Sequence, residues 1–415
     1  MLRVEKPEIF GVTESSVSLA FDVRDDGRPA DAEARVLVDG EVRAVSEGDS
    51  PTRFVRIEGL DPGRRYRISI EARGAAPAAP DPYFPDAVET LPLPQARETA
   101  SFATLNDLHF GELRFGGVLD PDGESGPDGP GSPSVRADDT EVPYWRFMNE
   151  DAIDEIDAAG VDAVFVKGDI ADRGLPEQFA DAAQAFARLR APLHAFLGNH
   201  DHYGRNVGLD VDGYALLGQP RAPRSLDLGG WRLVLVETAE PGAHHGVFDE
   251  DRLRWLDAEL AQTREAGQPT LVLMHHHPVP PEHADTYPNN IGIRPEHSLR
   301  LYELVGRHPQ VRGVLLGHTH RNRVRRHPAS GDVPYVEVNC TKDYPGGWAH
   351  YRLFEDGSFR QEVRRTSSPR ALAHSALCRD FFRGFYRIFA LGQLGERSFA
   401  APGASGALPP VRTGG

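Results

Sequence analysis

The stretch Val164-Phe165-Val166-Lys167-Gly168-Asp169-Ile170-Ala171-Asp172-Arg173 decides the fold of this chain. Its apolar run ends at Gly168 and is followed at once by a carboxylate, which predicts a buried strand with Asp169 at its carboxyl end. Open α/β sheets bind their ligands at that end. Taken alone, Gly168-Asp169 is equally typical of a turn that caps a helix. The neighbouring motifs distinguish the two interpretations.

Four other apolar runs also end in oxygen or imidazole side chains. The polar motifs that follow them are Asn106-Asp107-Leu108-His109, Gly198-Asn199-His200-Asp201, His275-His276-His277-Pro278 and Gly317-His318-Thr319-His320. A single motif of this kind is most often structural. Five in succession, each at the end of a predicted strand, are improbable as core packing, so together they predict a metal site.

The chemistry of a two-metal site explains these residue types. Two ions about 3.5–4 Å apart need one carboxylate that bridges both, with further ligands that leave positions open for water and substrate. Asp169 is the candidate for the bridge. In Asp107-x-His109 and His318-x-His320 both side chains point to one side, because side chains alternate along an extended segment. Ligation without thiolate favours manganese, iron or zinc over a structural cysteine-zinc site.

In type, order and approximate spacing, the five motifs resemble those of the calcineurin-like metallophosphoesterases, over about residues 100–365. The resemblance implies an α/β fold with a four-layer α/β/β/α sandwich and a dinuclear centre of divalent or trivalent ions. Its implied ligands are Asp107, His109, Asp169 and His320 for one metal, and Asp169, Asn199, His275 and His318 for the other. The resemblance also implies that His200 assists the leaving group and is oriented by Asp201.

The histidine triplet leaves one ligand open, because the family needs one histidine where this chain has three. Register from the end of the strand favours His275, whereas counting back from Pro278 favours His276. We take His275. The triplet is similar to that of the cyclic-nucleotide-type phosphodiesterases of this superfamily.

The reaction implied by the resemblance is hydrolysis of a small phosphoester, with a phosphodiester favoured, by in-line attack of a hydroxide held by the metals. Two alternatives stay open: a phosphomonoesterase acting on a small metabolite, and a non-catalytic binding or scaffold protein on the same fold. A scaffold protein is expected to lose ligands, whereas every ligand position is filled here.

Composition limits the partners. A length of 415 residues suggests about two to three domains, and a net charge of −16 disfavours duplex nucleic acid. A small anionic substrate is still compatible, since bound metals invert the local field. The sequence has no run of about 20 apolar residues and no signal-like opening, so the expected location is cytoplasmic. Its two cysteines, Cys340 and Cys378, are too few for a disulfide scaffold.

Residues 1–95 predict a small all-β sandwich. Apolar residues alternate with polar ones in three runs, Val17 to Val23, Val36 to Val38 and Tyr66 to Ile70, and turns separate these runs. The stretch Gly59-Leu60-Asp61-Pro62-Gly63-Arg64-Arg65-Tyr66 resembles the fibronectin type III turn that leads into a strand with a corner tyrosine. The alternative is an unrelated small β domain.

Residues 96–365 predict the phosphoesterase domain. Helical spacing of apolar residues predicts helices over 147–159, 176–189 and 252–264. Strands are predicted at 233–236, 335–338, 349–353 and 359–363, the last three in a second sheet. The Pro/Gly-rich segment within 111–143 predicts a mobile insertion, which is either a lid over the metals or a solvated loop.

Residues 366–415 predict a C-terminal helix and a frayed tail after about residue 400. Aromatic residues from Phe382 to Phe389 recur at helical spacing beside Arg379, Arg383 and Arg387. Such a helix over 379–389 either lies on a membrane surface or, more often, packs on its own domain.

The metal centre is expected to be independent of residues 1–95, which contain no histidine and no cysteine. A chain that begins near Gln95 should then fold and bind two metals, provided that no large apolar face is uncovered.

Overall fold

The computed structural model describes residues 1–48, 50–72, 75, 81–116, 125–126, 129–130 and 133–403. Part of the insertion predicted over 111–143 therefore lies outside the described residues, as does the tail beyond 403. The described ends of the insertion are ordered, because Arg114–Gly116 pairs with Ser134–Arg136 in an antiparallel ladder. Val135 in that ladder is buried in the core, so this part of the predicted mobile segment is structured.

Residues 2–89 form two four-stranded antiparallel sheets with a common apolar core. Their strands are β1 Leu2–Val12, β2 Ser16–Asp25, β3 Arg28–Pro29, β4 Ala34–Val38, β5 Glu41–Ser46, β6 Arg53–Glu58, β7 Arg65–Ala72 and β8 Ala87–Glu89. Strands β1, β2, β3 and β6 make one sheet, and β4, β5, β7 and β8 make the other. In β7 every second residue is buried, as the alternation from Tyr66 to Ile70 predicts.

The rest of the chain alternates strands and helices. Its strands are β9 Glu98–Leu105, β10 Arg114–Gly116, β11 Ser125–Gly126, β12 Gly129–Pro130, β13 Ser134–Arg136, β14 Ala163–Lys167, β15 Leu193–Phe196, β16 Arg224–Leu228, β17 Trp231–Val236, β18 Thr270–Met274, β19 Val311–Leu316, β20 Arg323–Arg325, β21 Tyr335–Glu337, β22 Gly347–Phe354, β23 Phe359–Arg365 and β24 Ser398–Ala401. Its α-helices are α1 Tyr144–Ala159, α2 Pro176–Phe186, α3 Gly213–Leu217, α4 Glu250–Glu265, α5 Pro295–Gly306, α6 Pro369–Arg379, α7 Phe385–Leu391 and α8 Leu394–Arg397.

Two six-stranded sheets dominate this part, in the orders β15-β14-β9-β22-β23-β24 and β16-β17-β18-β19-β21-β20. Strand β17 shows how the second sheet is buried on both faces. Leu233 and Leu235 join the core that also contains Phe102 of the first sheet, whereas Val234 and Val236 join a second core with residues of α4 and α5. The near-continuous apolar strands follow from this two-sided burial.

The strands β9, β14 and β15 run parallel, as do β17, β18, β19 and β21. Their carboxyl ends therefore lie along one edge of each sheet, which is where the predicted ligand motifs follow them. The expectation that the last three predicted strands share a sheet is wrong. Strand β21 belongs to the second sheet, while β22 and β23 extend the first, because β22 pairs with β9.

The C-terminal segment also differs from its prediction. The single helix expected over 379–389 is wrong, because Phe382 and Arg383 have φ values of 55° and 56° that break it before α7. Strand β24 pairs with β23, so Ser398–Ala401 is not frayed. Within the described ranges, each helix is too short or too polar to cross a bilayer.

A buried ion network joins the N-terminal sheets to the C-terminal segment. The Asp22 carboxylate accepts hydrogen bonds from both terminal nitrogens of Arg379, at 3.1 and 2.6 Å, and both side chains are fully buried. Glu8 accepts from Tyr344 Oη at 2.8 Å and from Arg387 Nε at 2.8 Å. A chain beginning at Gln95 would lose Asp22, Glu8 and Asp81, which pair with Arg379 and Arg387, and would uncover the face that they cover, so the expected independence of residues 1–95 does not fit this interface.

The substitution Asp22→Asn should lower the free energy of unfolding by about 3 kcal/mol, because it removes the buried carboxylate that balances Arg379 and leaves only the half-exposed Asp380 at 3.3 Å from Arg379 Nε. Urea unfolding at pH 7 measures the loss. The matched control is Asp25→Asn, since Asp25 pairs with the amino terminus on the surface. Equal stabilities of the two variants would contradict the role of the network.

The same pair has a defined pH dependence. Burial raises the pKa of Asp22, but Arg379 outweighs burial and the net shift is downward. A depressed carboxylate pKa stabilises the fold above the unfolded value of about 3.9 and loses that contribution as the pH falls through the folded value. The stability difference between the parent chain and Asp22→Asn should therefore shrink on acidification below about pH 4.

Candidate metal centre

The predicted ligands meet at the carboxyl ends of five strands. Asp107 and His109 follow β9, Asp169 follows β14, and Asn199 follows β15. His275 follows β18 directly, and His318 and His320 follow β19. All of them are buried except His320, which is partly exposed.

The backbone is left-handed at most of these positions. The φ values of the five residues are 55° for Asp107, 45° for His109, 52° for Asp169, 71° for His318 and 54° for His320. A non-glycine residue in this conformation costs roughly 1–2 kcal/mol. The chain therefore carries local strain that turns these side chains out of the strand direction and toward one another.

One half of the site contains His109, His320 and Asp107. The Nε2 atoms of His109 and His320 are 3.2 Å apart, and His320 Nε2 is 3.6 Å from Asp107 Oδ1. The opposite ring nitrogens face carboxylates: His109 Nδ1 is 3.3 Å from Asp172 Oδ1, and His320 Nδ1 is 3.5 Å from Asp343 Oδ2. These partners hold the protons on Nδ1, so the two Nε2 lone pairs face each other.

The other half contains His275, Asn199 and His318. His275 Nδ1 donates to the Lys167 carbonyl at 2.7 Å, and its Nε2 lies 3.1 Å from Asp169 Oδ2 and 3.2 Å from Asn199 Oδ1. His318 Nε2 donates to a backbone carbonyl at 2.9 Å, which leaves Nδ1 with its lone pair. Lone-pair atoms thus converge here as well.

This donor set fits metal ions. The Asp107, His109 and His320 donor atoms lie within 4.8 Å of one another, as do those of Asp107, Asp169 and His275. Two ligand atoms about 3.2 Å apart can each lie about 2.0–2.1 Å from one ion. Asp169 contacts both halves, at 3.1 Å from His275 Nε2 and 3.9 Å from His109 Nε2. The residues present therefore suit two ions with Asp169 between them.

The electrostatics point the same way. Burial lowers the pKa of His275, but Asp169 and Asp107 outweigh burial and raise it to about 9. The pKa of Asp169 falls well below its usual range because the imidazoles around it outweigh burial. The two carboxylates thus make a negative centre that favours positive charge at the point where the lone pairs meet.

The three histidines of the triplet make different contacts. His275 lies against Asp169 and Asn199, whereas His276 approaches only the His275 and His318 side of the cluster, where the donor atoms of the three histidines lie within 4.8 Å of one another. His276 Nδ1 is 2.8 Å from Thr238 Oγ1. His277 is buried, and burial is the first cause that lowers its pKa, to about 4.

His200 and Asp201 are both at the site, but they do not form a pair. His200 Nδ1 donates to the Asp172 carbonyl at 2.7 Å, and its backbone N–H donates to Asp169 Oδ1 at 2.9 Å. The Asp201 carboxylate instead accepts from the backbone N–H groups of Ala171 at 2.7 Å and Gly198 at 2.8 Å. The expectation that Asp201 orients His200 is wrong, because Asp201 folds back to tie the Asp169 and Asn199 loops together.

Three supporting residues had not been predicted: Asp172 as the partner of His109, Asp343 as the partner of His320, and Tyr203, whose hydroxyl accepts from Asn199 Nδ2 at 2.7 Å. Asp343 carried a usable signal, because it lies in a polar run shortly after β21 and so repeats the strand-end pattern of the ligands. Tyr203 lies four residues beyond Asn199, in the 3-10 helix His200–Val207, and has no comparable signal.

Comparison with known proteins agrees with this geometry. The model of the family described as calcineurin-like phosphoesterase matches residues 101–322, more than half of the 415-residue chain. The chain is 32% identical over 218 residues to the 3′,5′-cyclic adenosine monophosphate phosphodiesterase CpdA of Pseudomonas aeruginosa, covering 49% of this chain and 75% of that protein. It is 34% identical over 161 residues to the glycerophosphodiester phosphodiesterase GpdQ of Enterobacter lignolyticus, covering 38% of this chain and 56% of that protein.

Among solved structures, a dimetal phosphatase from Danio rerio aligns with a TM-score of 0.48 and 15% identity, over 65% of this chain and 97% of that one. The chain belongs to the calcineurin-like phosphoesterase family. It is a metallophosphoesterase, a hydrolase that acts on phosphoric ester bonds. The predicted α/β phosphoesterase fold and enzyme class are confirmed.

Gly198→Ala tests the packing behind the bridging carboxylate. A Cβ at Gly198 would lie 2.2 Å from Asp169 Oδ1 and 2.5 Å from Asp169 N, so Asp169 must move. We expect metal affinity to fall by about 10- to 100-fold, as for other lost supports of metal ligands. Metal titration of the apoprotein measures this fall.

Gly160→Ala is the control for Gly198→Ala. Gly160 has a φ of +68° but nothing within 4 Å of its added Cβ, so alanine strains the backbone without touching the site. This variant should lose some stability and keep its metal affinity. Unchanged metal affinity in Gly198→Ala would show that Asp169 tolerates displacement.

Proposed function

We propose that the protein hydrolyses a small phosphodiester at a dinuclear centre of manganese, iron or zinc. The observation that carries the proposal is the convergence of imidazole nitrogens and carboxylate and amide oxygens from five strand ends on both sides of Asp169. The relatives named as cyclic nucleotide and glycerophosphodiester phosphodiesterases favour a diester over a monoester. When bound, the two ions supply charge that neutralises the phosphoryl oxygens and lowers the pKa of water.

We assign the two halves of the site to separate ions. Asp107, His109 and His320 hold one, Asn199, His275 and His318 hold the other, and Asp169 bridges them. Asp172 and Asp343 keep the protons of His109 and His320 on Nδ1 and so direct Nε2 to the ion. Tyr203 binds the amide nitrogen of Asn199 and so directs its oxygen to the ion.

His200 is the proposed proton donor to the leaving group. Its Nδ1 is held by the Asp172 carbonyl, so Nε2 is the atom that can carry a proton to an alkoxide. Burial is the first cause that lowers the pKa of His200, and Asp169 partly opposes it. An anionic phosphoester beside Nε2 adds negative charge, which favours the imidazolium.

The domain organisation is part of the proposal: a fibronectin type III-like sandwich over 1–95, a four-layer α/β/β/α phosphoesterase domain over 96–365 and a C-terminal segment over 366–415. The Tyr66 hydroxyl accepts a hydrogen bond from the Asp61 N–H at 2.7 Å, as in a tyrosine corner. The two cores on either side of β17 support the layers. Cys340 and Cys378 are free and buried thiols, which fits a cytoplasmic location.

Asp169→Ala should abolish hydrolysis and nearly all metal binding, because the bridging carboxylate contacts both ions. Bound metal is measured by mass spectrometry of the purified protein. Turnover is measured on cyclic nucleotides, glycerophosphodiesters and phosphomonoesters, and the parent chain should prefer a diester.

The matched control is Asp154→Ala, since Asp154 pairs with Arg188 on the surface of α1. This variant should keep parental metal content and turnover. Parental stoichiometry and turnover in Asp169→Ala would refute the bridge, and a parent chain that turns over monoesters faster than every diester would refute the substrate class.

His200→Ala should retain both metals and lose roughly 10²–10⁴-fold in turnover, because general acid catalysis is worth that much. The loss should be smallest for nitrophenolate, which leaves without a proton. His202→Ala is the control, because His202 is the next histidine along and binds Glu237 at 2.8 Å instead of facing the cluster. An equal loss on all leaving groups would rule out the proton-donor role.

A further inference from the structure

A row of four aromatic rings leads from the metal centre to the protein surface. The centroids of the His109 and His200 rings are 4.4 Å apart, and those of the His200 and Tyr203 rings are 4.5 Å apart. The fourth ring is His244, whose centroid is 5.4 Å from that of Tyr203. His109 is buried, Tyr203 is partly buried and His244 is exposed. The row connects the site to a histidine that none of the five strand-end motifs contains.

The Tyr203 hydroxyl has two hydrogen-bond partners among the described residues. Asn199 Nδ2 donates to the hydroxyl oxygen at 2.7 Å, and His244 Nδ1 lies 2.5 Å from the same oxygen. Burial raises the pKa of Tyr203, so the hydroxyl keeps its single proton. An amide NH₂ group only donates, which leaves His244 Nδ1 as the acceptor of that proton. His244 then has its own ring proton on Nε2.

The direction of the Tyr203 proton determines which atom of Asn199 faces the metal centre. With the proton on His244, the hydroxyl oxygen accepts from Asn199 Nδ2, and Asn199 Oδ1 lies 3.2 Å from His275 Nε2. A Tyr203 proton directed at Asn199 would favour the opposite amide orientation, with Nδ2 toward the cluster. An NH₂ group has no lone pair to offer a metal ion, so the site would lose one ligand.

The loop that carries His244 packs directly against the histidine triplet. A Cβ at Gly246 would lie 2.6 Å from His276 Cβ, so the backbone of the loop is in close contact with that residue. The neighbouring His245 has a different partner, because its Nε2 lies 2.8 Å from Glu240 Oε2. Of the two adjacent histidines, His244 is therefore the one that is linked to the metal centre.

We propose that His244 is a positioning residue of the metal centre, which acts through Tyr203 to keep the oxygen of Asn199 directed at its ion. This role rests on the proposed function, because it takes Asn199 as a ligand of the ion that His275 and His318 also hold. Loss of His244 should weaken the binding of that ion. The other ion has a separate set of ligands and should keep its affinity.

The substitution His244→Phe keeps a ring at the surface and removes the acceptor of the Tyr203 proton. Stepwise titration of the apoprotein with manganese should show that the affinity for one ion falls by about 10- to 100-fold, the effect of losing a support behind a metal ligand. The affinity for the other ion should stay at the parental value. His244→Gln offers an amide oxygen to the same proton and should restore the lost affinity.

His245→Phe is the matched control from the same loop, and it should bind both ions like the parent. Tyr203→Phe keeps the ring beside His200, removes the hydroxyl and should weaken the same ion as His244→Phe. The double variant Tyr203→Phe/His244→Phe should bind that ion no more weakly than Tyr203→Phe alone, because His244 acts through the hydroxyl.

Parental affinity for both ions in His244→Phe would overturn the role of His244, and so would additive losses in the double variant. A parent chain that binds fewer than two ions would overturn the proposed function and this role together. Turnover gives a second readout. At subsaturating manganese, the loss in His244→Phe should be equal for all leaving groups, since His244 supports the metal centre, whereas the loss in His200→Ala should depend on the leaving group.

Discussion

The structure depends on the convergence of imidazole nitrogens and carboxylate oxygens on either side of Asp169 at the sheet edges. His275 Nε2 lies 3.1 Å from an Asp169 oxygen, and the His109 and His320 Nε2 atoms lie 3.2 Å apart. Lone pairs this close repel unless a proton or a metal ion lies between them. The fold holds them there through left-handed backbone at five ligand positions and through buried partners on the opposite side of each ring.

Other parts of the fold hold these nitrogen and oxygen atoms in place. Parallel strands bring their carboxyl ends to one edge, so ligands that are far apart in sequence become neighbours. The Asp201 carboxylate links the Asp169 loop to the Asn199 loop, because it accepts hydrogen bonds from a backbone N–H group of each, at 2.7 and 2.8 Å. The polar segment after β21 supplies Asp343 behind His320. The many contacts around these residues hold them in their strained backbone conformation.

Buried ion pairs also occur far from the metal centre. Asp22 and Glu8 connect the N-terminal sheets to arginines in the C-terminal segment, with both Asp22 and Arg379 fully buried. A segment without histidine or cysteine is thus part of the folding unit even though it supplies no metal ligand. Glu14 pairs with Arg352 and Arg360, and Glu362 pairs with Arg56, at the same junction between the N-terminal region and the first sheet.

The sequence by itself predicted the proposed ligands, the strand ends that carry them and the enzyme class, because a buried apolar run followed by a carboxylate or imidazole is a local pattern. Only the tertiary structure decided that His275 joins Asp169, that Asp172 and not Asp201 binds the His200 ring, and that β22 pairs with β9. It alone revealed the Asp22–Arg379 pair, whose members are 357 residues apart. Such choices depend on which surfaces meet after folding, and the local pattern of a strand or turn does not contain its partner.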